Sequence, residues 1–390
     1  MSSCRARPDG LAAPVRRGLW LLLGCALVAG CGPRARAPST AGAQPGALDA
    51  ERVLNIYNWS DYVAPEVIPQ FEREYGIKVH YDVFDSNEVL ETKMLAGATG
   101  YDIVVPSSSF LERQIKAGVY QKLNKALLPN LRNVDPDMAA RFAVYDPGGE
   151  HAVNYLWGTT GIAFNVRQVQ AIMGDAPVNS FRLLFDPQLV RRFKDCGVTL
   201  LDAPEDVIST VLVYLGRDPN TERLEELAAA EQVLNGIRPY IRYINSSRYI
   251  DDLANGEICL GLGWSGDVGQ AAARAAEAGG AVQVDFRIPE AGTIMFFDML
   301  AIPADARHPL NAHLFINFML RPEIAARNAS AMHFSISNQA AYALIDPAVF
   351  ANQNFYPPAA LRARLHSNLA HSPAYTRTIN RLWTRFKSGM

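Results

Sequence analysis

The sequence predicts an α/β fold of two lobes, each a mainly parallel sheet flanked by helices. Three observations point there. Short apolar runs with strand character alternate with segments of helical spacing along most of the chain. Some of those runs, such as Tyr101–Val105, are almost continuously apolar, as strands buried on both faces of a parallel sheet are. Composition is globular from about Arg52 to the end, and roughly 340 residues exceed what one hydrophobic core usually supports.

Residues 1–30 read as a secretory signal. Arg5, Arg7, Arg16 and Arg17 make a basic start, and Leu19–Gly30 is apolar. About twelve apolar residues fall short of the roughly 20 that a membrane-spanning helix needs. The run ends at Val28-Ala29-Gly30-Cys31, which resembles the bacterial lipobox, where cleavage leaves the cysteine as a lipid-bearing first residue. The plainer alternative is an ordinary signal with an incidental cysteine. Residues 31–52 then form a lipidated cysteine and a flexible tether. Gly32–Asp49 is rich in Pro, Ala and Gly, with too little large apolar surface to offset the entropy of ordering.

Val53–Tyr57 reads as a strand and Pro65–Tyr75 as a helix with Pro in its first turn. Ile77–Phe84 alternates like a strand, and Asp85, three residues before Glu88, gives a capping-box-like start to a helix through Ala96. After the Tyr101–Val105 strand, Phe110–Ala117 is helical, with Gly118 at its C-terminal cap. Beyond Trp157, strands are expected near Gly161–Phe164, Val198–Leu201, Glu257–Gly263 and Val282–Ile288. Helices begin at Pro204, near Thr221 and near Ser247. The sequence has no internal repeat.

Of the five cysteines, Cys4 and Cys25 leave with the signal and Cys31 takes lipid. Cys196 and Cys259 remain, an even pair in an oxidising compartment, and are expected to form a disulfide; two buried thiols are the alternative. A formal net charge of −2 and the lack of a basic run argue against a nucleic-acid partner. Cation binding must then come from local carboxylates.

Polar–aromatic clusters fall where strands end. Asn58-Trp59-Ser60-Asp61-Tyr62 follows the first strand, and Pro106-Ser107-Ser108-Ser109-Phe110 follows Val105. Asp202-Ala203-Pro204-Glu205-Asp206 follows Leu201, and Trp264-Ser265-Gly266-Asp267 follows Gly263. Ligands of open parallel sheets bind outside the carboxyl ends of strands, so these clusters read as one site. A further cluster, Phe296-Phe297-Asp298, sets a carboxylate in an apolar run, where it is costly unless paired. Trp59, Tyr62, Trp264 and Phe296 can form an aromatic box. Asp61, Asp267 and Asp298 add carboxylates, with Asp206 or Glu205 a fourth, and Ser60 and Ser107 add neutral acceptors. Taken singly, a Trp after a strand is more often core packing than a ligand contact, and Asp267 fits a helix N-cap as well. Aromatic faces attract alkylammonium groups and cover methylenes, while carboxylates pair the charged ends. A phosphate would favour Arg or helix N-termini and an amino acid would need Arg for its carboxylate, and no Arg lies in these clusters. The ligand read from them is cationic.

On these residues the chain resembles the periplasmic polyamine-binding proteins of bacterial ABC importers, and most closely their putrescine-binding branch. The likeness runs from about Val53 to Lys387 and is most specific in Ile56–Tyr62, Tyr81–Leu90, Val105–Arg113, Asp251–Gly256 and Gly263–Asp267. Carried over, that family's ligand contacts fall on Trp59, Ser60, Tyr62, Ser107, Trp264, Asp267, Phe296 and Asp298. Asp61, Ser109, Phe110, Ala203 and Phe296 resemble the putrescine pattern, not that of spermidine binders. Asp206 stands where the branch carries Glu, which retracts one carboxylate by a methylene.

The resemblance implies a periplasmic-binding-protein architecture with the ligand in an interlobe cleft. It puts lobe 1 at 53–157 and 292–342, and lobe 2 at 158–291 and 343–390. It further implies a periplasmic protein that delivers a polyamine to an inner-membrane ABC permease and ATPase complex; a monomer without cofactor or metal is expected, and from the Cys31 lipobox the protein is expected to be anchored to a membrane. Spermidine, cadaverine and agmatine are alternative ligands, and a membrane sensor an alternative partner. Catalysis is not expected, since no HExxH, Walker, GxGxxG or complete nucleophile-elbow pattern appears.

Overall fold

The computed structural model describes residues 38–389, so the expected signal segment and Cys31 lie outside the described residues. Ten strands build one sheet: β1 (Val53–Trp59), β2 (Lys78–Phe84), β3 (Ile103–Val104), β4 (Ala152–Asn165), β5 (Val198–Leu200), β6 (Tyr243–Ile244), β7 (Leu260–Trp264), β8 (Val284–Arg287), β9 (Thr293–Ala301) and β10 (Leu365–Ser367). Their order is β2-β1-β3-β9-β4-β7-β5-β6, with β10 beside β9 and β8 beside β4.

β1 pairs in parallel with β2 and β3, and β5 pairs in parallel with β6 and β7. The antiparallel pairings belong to β4 and β9. All 14 residues of β4 are buried, and its partners change along its length. It pairs with β9 as far as Thr159, then with β7 from Thr160. β4 therefore carries the chain from one parallel group to the other.

Among the described residues two apolar cores flank the sheet, and the second of them runs across both parallel groups, since it also takes in Tyr57, Phe84 and Val104. One joins Leu54, Ile56 and Ile103 of β1 and β3 to the helices Pro309–Met319 and Pro322–Met332, where Phe71 meets Phe315 edge-on at 5.0 Å. The other gathers β5, β7 and the second half of β4 against the helices Pro204–Tyr214, Leu224–Ile237 and Pro373–Ser388. Burial of one such large apolar side chain contributes roughly 1.5–3 kcal/mol. Trp59 and Trp264 pack against both cores.

The Asn87–Ala96 helix is capped by Ser86, whose hydroxyl accepts from Val89 N at 3.2 Å. Asp85, the expected cap, is exposed one residue too early. The helix expected near Thr221 begins at Leu224, because Thr221 Oγ1 accepts from Arg223 N and holds a turn there. Cys196 and Cys259 are disulfide-bonded with Cα atoms 5.6 Å apart, tying the entry of β5 to that of the adjacent β7. Near the N-terminus, Asp49 and Asn311 exchange hydrogen bonds of 3.1 and 2.9 Å, and Glu51 reaches His308 at 3.0 Å. This stretch of the expected tether is docked, because its backbone and carboxylates meet donors at the start of the Pro309–Met319 helix.

Candidate ligand-binding site

The strand ends that the sequence singles out converge. Trp59, Ser60, Asp61, Tyr62, Ser107, Asp206, Trp264, Asp267, Phe296 and Asp298 all line one cleft. The sequence contributes to each placement locally. β1 terminates at Trp59, and Asp61 turns the chain through the left-handed region (φ 51°), which Asp tolerates better than most residues. Ser107 is the N-cap of the Ser108–Lys116 helix but makes no side-chain cap bond. Its hydroxyl donates to Asp298 Oδ1 at 2.6 Å instead. Asp206 and Asp267 lie in the first turns of the helices Pro204–Tyr214 and Ser265–Glu277, where a carboxylate is favoured by the helix dipole.

Three carboxylates lie here in different settings, Asp267 and Asp298 buried and Asp206 partly so. Asp298 is 3% exposed and accepts from Tyr62 Oη on one oxygen and Ser107 on the other. Asp267 accepts from Tyr249 Oη at 2.8 Å. Asp206 accepts from the Trp264 indole at 2.7 Å and from Asn368 at 3.4 Å. Burial pushes Asp267 and Asp298 up to about 7 and Asp206 up to about 6, against the opposing effect of these donors. Tyr62 and Tyr249 are raised well above the usual tyrosine value by burial, so both hydroxyls remain donors. A cavity that makes ionised carboxylates costly is one in which an entering cation relieves the cost.

Aromatic rings form the walls. Trp59 stands 6.0 Å from Trp264 at 70°, and Trp264 stands 6.3 Å from Phe296 at 71°. Tyr62 differs from the expectation of a simple wall residue: its ring packs on Phe334 and Tyr155, and its hydroxyl is committed to Asp298. Asp61 lines the cleft, but its carboxylate is 53% exposed and lies 3.4 Å from Arg274. Glu205 is engaged by Arg113 at 2.9 Å, and Arg113 also holds Glu91. Arg113 and Arg274 therefore already face carboxylates.

Sequence reasoning missed Phe334, Tyr249, Glu88 and Asn368. Phe334 lines the cleft beside Phe296 but follows a helix instead of a strand, so position gave no signal. A Cβ at Gly158 would lie 2.8 Å from Phe296 and 3.1 Å from Phe334, and one at Gly266 would lie 2.2 Å from Phe334. Those two glycines are what admit the rings, and Gly266 sits inside a cluster that the sequence had marked. Glu88 and Asn368 line the cleft from a helix face and a C-terminal loop.

A family model described as bacterial extracellular solute-binding protein matches residues 66–356. The chain belongs to that family. This solute-binding protein is 49% identical over 347 residues to the putrescine-binding periplasmic protein PotF of Escherichia coli, covering 88% of this chain and 94% of that one. It is equally identical over 340 residues to the putrescine-binding periplasmic protein SpuD of Pseudomonas aeruginosa, covering 87% and 92%. The spermidine/putrescine-binding periplasmic protein of Escherichia coli is 34% identical over 316 residues, 80% of this chain and 85% of that one. Among solved structures, a spermidine/putrescine ABC transporter protein from Listeria monocytogenes superposes with a TM-score of 0.77 at 30% identity, covering 86% of this chain and 99% of that one. A lipoprotein of Treponema pallidum superposes at 0.74 with 28% identity, over 86% and 99%. The two-lobed α/β architecture read from the sequence is the family's own, and the role is that of a binding protein, not an enzyme.

Proposed function

We propose that this protein captures putrescine in the periplasm and delivers it to an inner-membrane ABC permease and ATPase complex. The observation that carries the reading is the cleft itself: buried Asp267 and Asp298 face a slot walled by Trp59, Trp264 and Phe296. The carboxylates suit an ammonium end and the rings suit methylenes. Relatives that are 49% identical and called putrescine-binding support the choice of diamine. In this proposal one ammonium sits against Asp267 and Asp298, and Asp206 serves the other end. Ser60, Ser107 and Tyr62 complete the contacts. The lobes divide at 157/158, 291/292 and 342/343, a division supported by the change of partner along β4 near Thr159.

Anchoring through Cys31 belongs to the same proposal, supported by the Val28–Cys31 motif. Calorimetric titration of purified protein with putrescine, cadaverine, agmatine and spermidine tests the ligand. Putrescine is expected to bind tightest; a clear preference for spermidine, or no binding of any, overturns the reading. Cys31→Ser is expected to yield a soluble protein with unchanged putrescine affinity. If that variant stays with membranes after cleavage of the signal, the anchor is elsewhere.

A further inference from the structure

We infer that Tyr249 is a positioning residue of this cleft, one hydroxyl of which sets both the Asp267 carboxylate and the Trp264 backbone for the ligand. The inference rests on the diamine reading of the site. Tyr249 belongs to the Arg248–Ala254 helix, is fully buried and does not line the cleft. Its Oη donates to Asp267 Oδ2 at 2.8 Å and accepts from Trp264 N at 3.1 Å. Trp264 ends β7 and Asp267 begins the helix that follows, so one atom bridges the aromatic wall and the carboxylate across a strand-to-helix junction.

The bond has no substitute. Among the described residues no other hydrogen bond reaches the Asp267 carboxylate, whereas Asp298 has Tyr62 and Ser107. The backbone is shaped to admit the ring: a Cβ at Gly263 would lie 2.9 Å from Tyr249 Cε2, so a side chain there would drive the phenol off its partners. The charged groups facing Asp267 are Asp61 and Asp298, which oppose its ionisation, and Arg274, which favours it; Tyr243 faces Tyr249. Against burial and two like charges, the phenol's donated proton favours the ionised carboxylate that an ammonium ligand requires.

A role confined to packing and a role in positioning separate in the pH profile. Putrescine binding to Tyr249→Phe is measured by calorimetry between about pH 5 and about pH 9. Affinity near neutrality is expected to fall about tenfold, the loss of one hydrogen bond to a charged group. The pH at which affinity declines should move up by about one unit, and the deficit should narrow at the alkaline end. In an Asp267→Asn background, Tyr249→Phe should shift nothing further. A uniformly weaker but unshifted profile overturns the inference. If Tyr249→Phe does not fold, 3-fluorotyrosine at 249 keeps the ring and strengthens the donor, and the profile should move the other way; no movement overturns the inference. Carboxyl titration of Asp267 by NMR in ligand-free protein, wild type against Tyr249→Phe, reads the same shift without putrescine. Failure of wild type to bind putrescine therefore counts against the proposed function alone, while an unshifted Asp267 counts against Tyr249.

Discussion

Asp267 and Asp298 are held in the cleft by unequal means, and the inequality orders the effects of replacing them. Asp298 lies between Tyr62 and Ser107, while Asp267 has the single bond from Tyr249, leaving one oxygen uncommitted. A cation drawn out of water has most to gain at Asp267. Removing one member of a buried charge pair costs about 3–5 kcal/mol. Truncating an aromatic wall residue costs nearer 1–3 kcal/mol. Asp267→Asn is expected to weaken putrescine binding most, Asp298→Asn next and Phe296→Ala least, as read by calorimetry on folded variants. An Asp variant within a factor of about three of wild type, roughly 0.65 kcal/mol, is not a principal ammonium partner. Proton linkage follows from the same carboxylates. With Asp267 and Asp298 near 7 and Asp206 near 6, all above the usual aspartate value, the protein with its cleft closed and empty binds more protons than its unfolded chain between about pH 4 and about pH 7. The stability these groups contribute is therefore present at low pH and lost as pH rises through about 7. An ammonium ligand reverses the preference by favouring the ionised forms. Putrescine affinity should fall as pH drops from about 7 to about 5, and binding near neutrality should release protons, seen as an enthalpy that varies with the ionisation heat of the buffer. A buffer-independent enthalpy at pH 7 means that the carboxylates are already ionised in the free protein.

The helix Ser265–Glu277 shows how one element places the site. Gly266, in its first turn, lies against the ring of Phe334, where a Cβ would come within 2.2 Å. Phe334 in turn packs on Tyr62 and Phe296. Gly266→Ala therefore has no room without displacing a wall of the slot. It is expected to lower stability by roughly 1–3 kcal/mol in a urea titration and to weaken putrescine binding as well. Wild-type affinity in that variant removes Phe334 from the account of the slot. The same element marks where the sequence was legible. Asp267 and Trp264 could be found because a strand end followed by a helix start is a local pattern, and β1, β3 and β5 announced their clusters in the same way. Phe334 and Tyr249 could not, since Phe334 acts through Tyr62 and Phe296, far from it in the chain, and Tyr249 through a bond from one helix to the start of the next. Nor could the full length of β4: a strand buried on both faces has no alternation to read, and only its second half, Gly161–Phe164, stood out. The antiparallel pairing of β4 and β9 was hidden for a related reason, as pairing partners 140 or so residues apart leave no local trace.

At the scale of the whole molecule, opposing forces act on closure of the proposed lobes. Bringing them together buries apolar rings, with Trp59 against Trp264 and Trp264 against Phe296, and forms the pairs Arg113–Glu205 at 2.9 Å and Asp61–Arg274 at 3.4 Å. The Asp61–Arg274 pair is largely exposed and worth little by itself. Against closure stands the cost of taking Asp206, Asp267 and Asp298 out of water together, which is what raises all three. A diammonium ligand removes that cost, and only the closed arrangement lets both sides touch it, so binding shifts the population toward the closed state. Ionised charge at these carboxylates, not ligand shape, is then what opposes closure of the empty protein. Neutralising it should then mimic the ligand. Asp206→Asn/Asp267→Asn/Asp298→Asn is expected to have lost putrescine binding yet to show, without ligand, the smaller radius of gyration that wild type shows only with putrescine. Wild type at about pH 5, where the carboxylates carry protons, should move partway in the same direction. Small-angle scattering on the two proteins, with and without putrescine, reads both effects. A triple variant as open as ligand-free wild type shows that direct ligand contacts, and not relief of buried charge, drive closure.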